Sequence, residues 1–548
     1  MNNLFKKILF TSAILIIFSG FFPGQGDIYF EISKNIDVFG KVYKEISLNY
    51  VDEINPEEFM RAGIRGMLNS LDPYTIFIDE NKKDEIDLIT NGKYGGVGIS
   101  IGVRGDEVTV VEVLDGYSAQ KQGVRIGDVL IEADGQKISS ENVDEISTYV
   151  KGEPGTQVEI KIIRNESKDT LLFNLIREEV LIKNITYYGF YPPESNNAYI
   201  KLSNFSRSAG DEVKKALKDL KSQKDIKSII LDLRGNPGGL LDVAVDICDK
   251  FLEKDKLIVS TKGRDLASEK KYFSVQEPMS GDSRIVLLIN EGSASASEIV
   301  AGAIQDQDRG VILGVKSFGK GLVQTISPLS YNTSLKITTA KYYTPSGRCI
   351  QKIDYTQKNK VMAVTDSIDN GTYYTPNKRI VYGGGGITPD STVEFKIEGD
   401  VTKDLLAKGM FFKFANSYYE GNASSKLSEI KNEKLFASFI SFLEKQKYLY
   451  QSDAEKQIDK LIEDVHKKKM DTSLSDDLKK IRKQFETLDN SEYKIYEDEI
   501  LREIKIELAA RYTGTEGKIT ASLEGDKQFQ AALKIATNEK IYNGILHN

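Results

Sequence analysis

The sequence predicts a multidomain α/β protein. Strands and helices alternate between residues 181 and 396, short glycine-punctuated apolar alternations fill residues 92 to 180, and helical periodicity dominates both ends. The chain has 548 residues, 40% of them hydrophobic, enough for three or four domains at about 100 to 200 residues each. The 74 basic and 81 acidic residues leave a net charge of −7. With no long block of one sign and no basic aromatic stripe, nucleic acid is not an expected partner.

Residues 1–26 read as a signal peptide or membrane anchor. Lys6 and Lys7 precede a nearly apolar run from Ile8 to Phe22, the architecture of an export signal. The run is shorter than the roughly 20 residues of a membrane span, yet it is followed by no clear small-x-small cleavage site and no cysteine for lipid attachment. Cleaved signal and retained anchor both stay open. The expected location is therefore outside the cytoplasm, either periplasmic or anchored in the inner membrane and facing the periplasm.

Residues 27–91 form a predicted helical cap, with Phe39, Val42, Tyr43, Ile46 and Tyr50 at three-and-four spacing and a turn at Asp72-Pro73. Residues 92–180 contain apolar alternations at 97–103, 108–113, 129–133, 158–163 and 171–175, with one expected helix over 142–150. Residues 181–396 carry strands at 198–202, 228–233 and 285–289 and helices at 209–220, 240–251 and from Ser297 onwards. A polar stretch at 352–382 reads as an inserted loop. Residues 397–548 are lysine- and glutamate-rich helical segments whose charge is most simply a solvated face.

The chain holds only two histidines, His466 and His547, and two cysteines, Cys248 and Cys349. A histidine-based triad is not expected from that scarcity, and there is no clustered His/Cys set at metal-ligand spacing. Neither a metal nor a cofactor is expected. The two cysteines read as small apolar core residues.

The densest signal runs from Asn290 to Ala303, where three serines alternate with alanine between a buried-type strand and an amphipathic helix. Ser295-x-x-Glu298 matches a helix capping box and by itself needs no chemistry. A serine at a helix N-terminus also sits where amides and the helix dipole stabilise developing negative charge. Without histidine, a base must come from another residue, and Ser317-Phe-Gly-Lys-Gly321 supplies Lys320 between glycines just after an apolar strand. Lowering a lysine from about 10.4 to about 7 costs roughly 4.6 kcal/mol, which burial can supply; the plainer reading is a loop lysine in water. Asp232-Leu-Arg-Gly-Asn-Pro-Gly-Gly-Leu240 is either a tight strand-to-helix connection or one half of an oxyanion hole whose other half is the Ala296 amide.

These residues, with Leu71-Asp-Pro-Tyr, Tyr94-Gly-Gly-Val-Gly-Ile99, Gly123-Val-Arg-Ile-Gly-Asp-Val129, Gly319-Lys-Gly-Leu-Val-Gln324, Tyr342-Tyr-Thr-Pro-Ser-Gly-Arg348 and Gly386-Ile-Thr-Pro-Asp390 in order, resemble the C-terminal processing peptidases, or tail-specific proteases. The resemblance implies a crotonase/Clp-like α/β protease core with an inserted PDZ domain, an N-terminal helical cap and a C-terminal helical extension. It implies Ser295 as nucleophile, Lys320 as base, Gln324 as the residue that positions the lysine, and Asp306 as a supporting residue. Gly239 and the Ala296 amide would form the oxyanion hole, with Gly238 as the near alternative. Gly95, Gly96, Val97, Gly98 and Ile99 would hold the terminal carboxylate of an unstructured, apolar protein C-terminus added as a strand. Lys151, where relatives often carry arginine, and the 352–382 stretch depart from the pattern without touching the dyad.

The expected function is thus a serine endopeptidase that works through an acyl-enzyme. A non-catalytic PDZ scaffold with a protease-like fold is the alternative, disfavoured because nucleophile and base are both present. An enoyl-CoA hydratase-like enzyme is disfavoured by the PDZ module and export signal. A homo-oligomer, an adaptor lipoprotein and a membrane tether through the N-terminus stay open.

Overall fold

The computed structural model describes residues 25–547 apart from 81–86, 89, 105, 143–145, 147–148, 165–169, 265–267, 354, 356–370 and 468–471. The export-signal stretch lies almost wholly outside the described residues, as do parts of the helix expected over 142–150 and of the polar stretch 352–382. No helix among the described residues is long and apolar enough to cross a membrane.

Helices α1 (Gln25–Asn49) and α2 (Pro56–Leu68) pack on each other through Tyr43 and Phe59, whose rings stack at 5.7 Å. Asn55 starts α2 by accepting from the Glu57 and Glu58 amides, ahead of a proline at the first helical position. Phe39, Val42 and Tyr50, on the apolar face that the spacing predicts, stay about half exposed. The following strand β1 (Ile76–Ile78) joins the body of the molecule.

Strand β2 (Lys93–Gly96) leads into a five-stranded antiparallel path, β3 (Ile99–Arg104), β4 (Glu107–Val113), β5 (Val129–Ala133), β6 (Gln157–Ile163) and β7 (Thr170–Ile176). Alternate side chains, among them Val108, Val110, Leu130, Ile160, Ile162 and Leu175, fill its core with Ile146. Strand β8 (Glu178–Leu181) returns to pair with β2, Lys93 opposite Leu181. The module's two ends therefore lie side by side, as an insertion requires. Strand β3 is the edge, paired with β4 alone among the described residues.

The α/β body begins with β9 (Ile185–Phe190) and β10 (Asn197–Leu202), then α3 (Ala209–Gln223), β11 (Ser228–Asp232), α4 (Leu241–Asp249), β12 (Leu257–Gly263), β13 (Arg284–Ile289), α5 (Ala296–Asp306) and β14 (Val311–Gly314). It continues through β15 (Leu322–Pro328), β16 (Ser334–Tyr343) and β17 (Ser391–Thr392). The main sheet has the order β9-β10-β11-β13-β14-β17, parallel after its first strand. β11 is buried at every position, as a strand covered on both faces must be. Ile200, Ile229, Leu231, Ile285 and Leu287 face α3, α4 and α5. A second sheet is built on β16, which pairs with β1, β12 and β15.

Two expectations need correction. The 352–382 stretch is not all loop: Thr372–Tyr374 and Ile380–Tyr382 form an antiparallel hairpin. The carboxy-terminal helices are not merely solvated. Helices α6 (Met410–Asn422), α7 (Asn432–Lys445) and α8 (Glu497–Glu524) enclose their own core of Phe411, Phe414, Leu435, Phe439, Ile500, Ile504 and Leu508. Helices α9 (Lys527–Thr537) and α10 (Glu539–Leu546) then cover the main sheet's second face, packing Phe529, Ala532, Ile535 and Tyr542 against Tyr199, Ile230, Val286 and Leu288. Their charged residues lie on the side away from these contacts, which is why composition alone reads as solvated. Cys248 and Cys349 are both buried and are not joined in a disulfide.

Candidate active site

The turns after β11 and β13 are stitched into one unit at the carboxyl ends of the parallel strands, where open α/β sheets place their sites. Asn290 Oδ1 accepts from the Gly235 and Gly292 amides at 2.8 and 3.1 Å. Asn236 holds the other side: its carbonyl accepts from the Ala294 amide and the Ser297 hydroxyl, and its carboxamide donates to Leu202 O at 2.9 Å.

Ser295 precedes α5 with φ 54° and ψ −111°. A non-glycine residue held there costs roughly 1–3 kcal/mol, strain typical of functional turns. Only half of the capping box is used. The Ser295 amide donates to Glu298 Oε2 at 2.8 Å, but the Glu298 amide takes the Ser295 carbonyl at 2.9 Å, leaving the hydroxyl without a capping bond. Among the described residues the Ala296 and Gly239 amides have no acceptor, whereas the Gly238 amide donates to Asn236 Oδ1 at 2.9 Å. The free donors are therefore Gly239 and Ala296. Gly238 serves by being small: with φ 93°, a Cβ there would sit 2.5 Å from Ala294 O and 2.9 Å from Ser295 Cβ.

Lys320 lines the same cleft as Ser295, Gly238, Gly239, Gln324 and Tyr342, a space of about 650 Å³. Its ammonium forms no ion pair among the described residues and lies 4.4 Å from the Tyr74 ring centroid. Burial brings it down to about 8, helped by the positive charge of Lys336 and opposed by Asp72 and Glu298. That value suits a base working near neutral pH. Glu298 is fully buried and ties the base to the nucleophile. Its Oε1 accepts from the Ser317 hydroxyl and the Gly319 amide at 2.6 and 2.7 Å, and its Oε2 takes the Lys320 amide at 2.9 Å. Burial pushes its carboxyl up to about 7 against the pull of these donors. The sequence marks Glu298 only as a cap on Ser295; its other partners lie 19 to 22 residues away.

Gln324 stands in the cleft, but its carboxamide donates to Thr338 Oγ1 at 3.3 Å, and no hydrogen bond joins it to Lys320 among the described residues. Pairing of Gln324 with Thr338 across β15 and β16 puts both on one face. Asp306 is at the far end of α5, about 16 Å from Ser295 by helical rise. There it is buried against Arg348 at 2.7 Å and accepts from the Ser346 amide and hydroxyl. Its support is structural: it fastens the 344–348 turn.

In the inserted module, Gly95 and Gly96 belong to β2, opposite Glu179 and Glu178. Val97 is buried, and Ile99 opens the edge strand. The Val97 and Gly98 amides donate to nothing among the described residues, while the Gly98 carbonyl accepts from Leu114. Gly98 has φ 82° and lies so close to Tyr117 that a Cβ would meet it at 2.4 Å. This loop presents two free N–H groups beside an open strand edge.

Comparison with known proteins agrees with this layout. Residues 196–361 match peptidase family S41, residues 95–175 a PDZ domain and residues 401–536 the C-terminal helical domain of PDZ-proteases. A carboxy-terminal-processing protease from Bartonella bacilliformis is 37% identical over 59% of this chain and 74% of its own. The chain belongs to the carboxy-terminal processing proteases. The family member CtpB of Bacillus subtilis is 30% identical over 59% of this chain and 67% of its own. The solved photosystem II D1 C-terminal processing protease is 26% identical over 64% of this chain and 85% of that one, with a TM-score of 0.37. The protein is accordingly a serine-type peptidase carrying a PDZ domain.

Proposed function

We propose that the protein is an endopeptidase that captures the C-terminus of an unstructured, apolar-ended protein in its PDZ domain and cleaves by a Ser295/Lys320 dyad. The observation that carries this reading is the shared cleft, lined by Ser295, by Lys320 with its amine brought down by burial and by Gly239 with its unused amide, next to the unused amide of Ala296 that follows Ser295 in the chain.

Neutral Lys320 takes the Ser295 proton, and the oxygen attacks the substrate carbonyl carbon. The Gly239 and Ala296 N–H groups hold the resulting oxyanion. Collapse breaks the C–N bond, and Lys320 passes its proton to the leaving amine. Water, activated by the same amine, then attacks the acyl-enzyme and frees Ser295. Gln324 orients Nζ as it swings from Tyr74 toward Ser295, and Asp306 keeps the distal end of α5 in place. In the PDZ domain the Val97 and Gly98 amides bind the terminal carboxylate between Gly95–Gly96 and Ile99, and the peptide adds to the edge of β3. The amino-terminal segment exports the chain, placing the catalytic body on the periplasmic side.

The test is cleavage of an unfolded protein with an apolar C-terminus by wild type, Ser295→Ala and Lys320→Ala. Loss of about 10³-fold or more in both variants, with folding retained, is expected; equal cleavage by all three would sink the dyad.

A further inference from the structure

The catalytic cleft holds a second amine with no assigned work. Lys336 on β16 lines it together with Lys320. Its cross-strand partner on β15 is Ile326, two residues beyond the Gln324–Thr338 pair. On one face of a strand that spacing is about 7 Å, so Lys336 stands one same-face step from Gln324. On its other side it pairs with Ile76 of β1.

Lys336 forms no ion pair or side-chain hydrogen bond with any described residue, although it is partly buried. Charged side chains removed from water are ordinarily paired. Here no partner is at hand. Among the described residues that line the cleft there is no aspartate and no glutamate, and most of the rest are apolar or small, including Leu240, Leu241, Ile299, Leu322, Val323 and Ile326. The carboxylates nearest Lys320 are already engaged. Asp72 accepts from the Tyr74 and Thr75 amides, and Glu298 from its four donors. The cleft thus leaves the Lys336 amine with no counter-charge inside a largely apolar wall, an arrangement that discriminates between charged and neutral occupants.

We propose that Lys336 is a specificity-determining residue that binds a carboxylate of the substrate close to the scissile bond. Resting on the dyad reading above, this makes the preferred substrate one that is apolar on the whole but carries one carboxylate within a residue or two of the cut. That carboxylate is either an Asp or Glu side chain or the chain's own terminus, freed by a preceding cut. In either form it supplies the counter-ion that the protein withholds.

The experiment uses the exported chain and a set of apolar peptides in which a single Glu is moved along the sequence, each paired with its Gln counterpart, and each made with a free and an amidated C-terminus. The quantity read is the kcat/KM ratio of the Glu to the Gln peptide within each enzyme, for wild type, Lys336→Met and Lys336→Glu. Such a ratio cancels any change in the base. Wild type is expected to favour Glu at one position by about tenfold or more, as a charged hydrogen bond would give. Lys336→Met should bring the ratio to about one, and Lys336→Glu should invert it. If the preference follows the free terminus and is lost in Lys336→Met, the terminal carboxylate is the ligand. A wild-type ratio near one at every position and terminus, or a preference that survives in both variants, overturns the proposal. Binding of the same peptides to Ser295→Ala protein separates the two readings: Glu-selective binding that Lys336→Met abolishes, beside cleavage that Ser295→Ala and Lys320→Ala leave equal to wild type, would leave the carboxylate site standing and remove the dyad.

Discussion

The backbone amides of Ser295 and Lys320 donate to the same oxygen, Oε2 of Glu298, at 2.8 and 2.9 Å. One buried carboxylate thereby fixes the register between a helix start and a loop 25 residues further along, and Oε1 holds the loop again through Ser317 and Gly319. A carboxamide has a single acceptor oxygen, so Glu298→Gln can keep at most one of these two pairs and points N–H groups at the other. Each unsatisfied buried donor costs about 1–3 kcal/mol. The expected outcome is a kcat at least about tenfold lower with a lower melting temperature, checked by peptide kinetics beside a thermal melt.

The pH profile follows from two groups acting in the same direction. Rising pH ionises Glu298 near 7, completing its acceptor set, and removes the proton from Lys320 near 8, creating the base. Cleavage should therefore rise with pH, with its limb centred near 8. Because the Lys336 charge helps to hold Lys320 down, Lys336→Met should move that limb to higher pH on a neutral peptide. A limb that falls through this range would contradict a neutral lysine base.

Much of the body was legible because its signals are local. The runs Ile229–Leu231 and Ile285–Ile289 are apolar at every position, short and rich in β-branched residues, which marks them as strands covered on both faces. The start of α5 reads from Ser295-x-x-Glu298. What could not be read depends on partners far apart in sequence. Nothing local tells that Phe529 and Ala532 meet Ile230 and Val286, since an amphipathic helix declares that it has a buried face but not what buries it. Nor does spacing disclose that Gln324 faces Thr338, or that Lys336 shares the cleft with Lys320, because both follow from how β15 and β16 pair.

The role of Gly238 is steric, and a single methyl tests it. A Cβ there would lie 2.5 Å from Ala294 O, 2.8 Å from the Ala296 amide nitrogen and 2.9 Å from Ser295 Cβ, and its φ of 93° suits glycine alone. Overpacking of this kind costs about 1–3 kcal/mol, and the atoms that must yield are the nucleophile and an oxyanion donor. Gly238→Ala should lose about 10²-fold or more in kcat while peptide binding to the PDZ domain is unchanged, which a fluorescence titration would verify.

The carboxy-terminal helices reach the active site through Arg234. Its guanidinium pairs with Asp232 in front and with Asp526 at 2.6 Å behind, and it donates to Gln528 at 2.9 Å. Arg234 immediately precedes the Gly235–Gly239 turn, so α9 braces the strand end from which the oxyanion donor hangs. Asp526 also starts α9 by accepting from the Gln528 and Phe529 amides. Asparagine caps a helix as well as aspartate does, so Asp526→Asn removes the carboxylate that faces Arg234 while sparing the helix start. The expected loss is about 1–3 kcal/mol of stability together with a lower kcat and an unaltered KM. Asp526→Ala should cost roughly a further 1 kcal/mol for the missing cap. Denaturant unfolding and steady-state kinetics on the two variants separate the brace from the cap: if Asp526→Asn matches wild type in both, Asp526 matters to the helix alone and the link to the oxyanion turn is not functional.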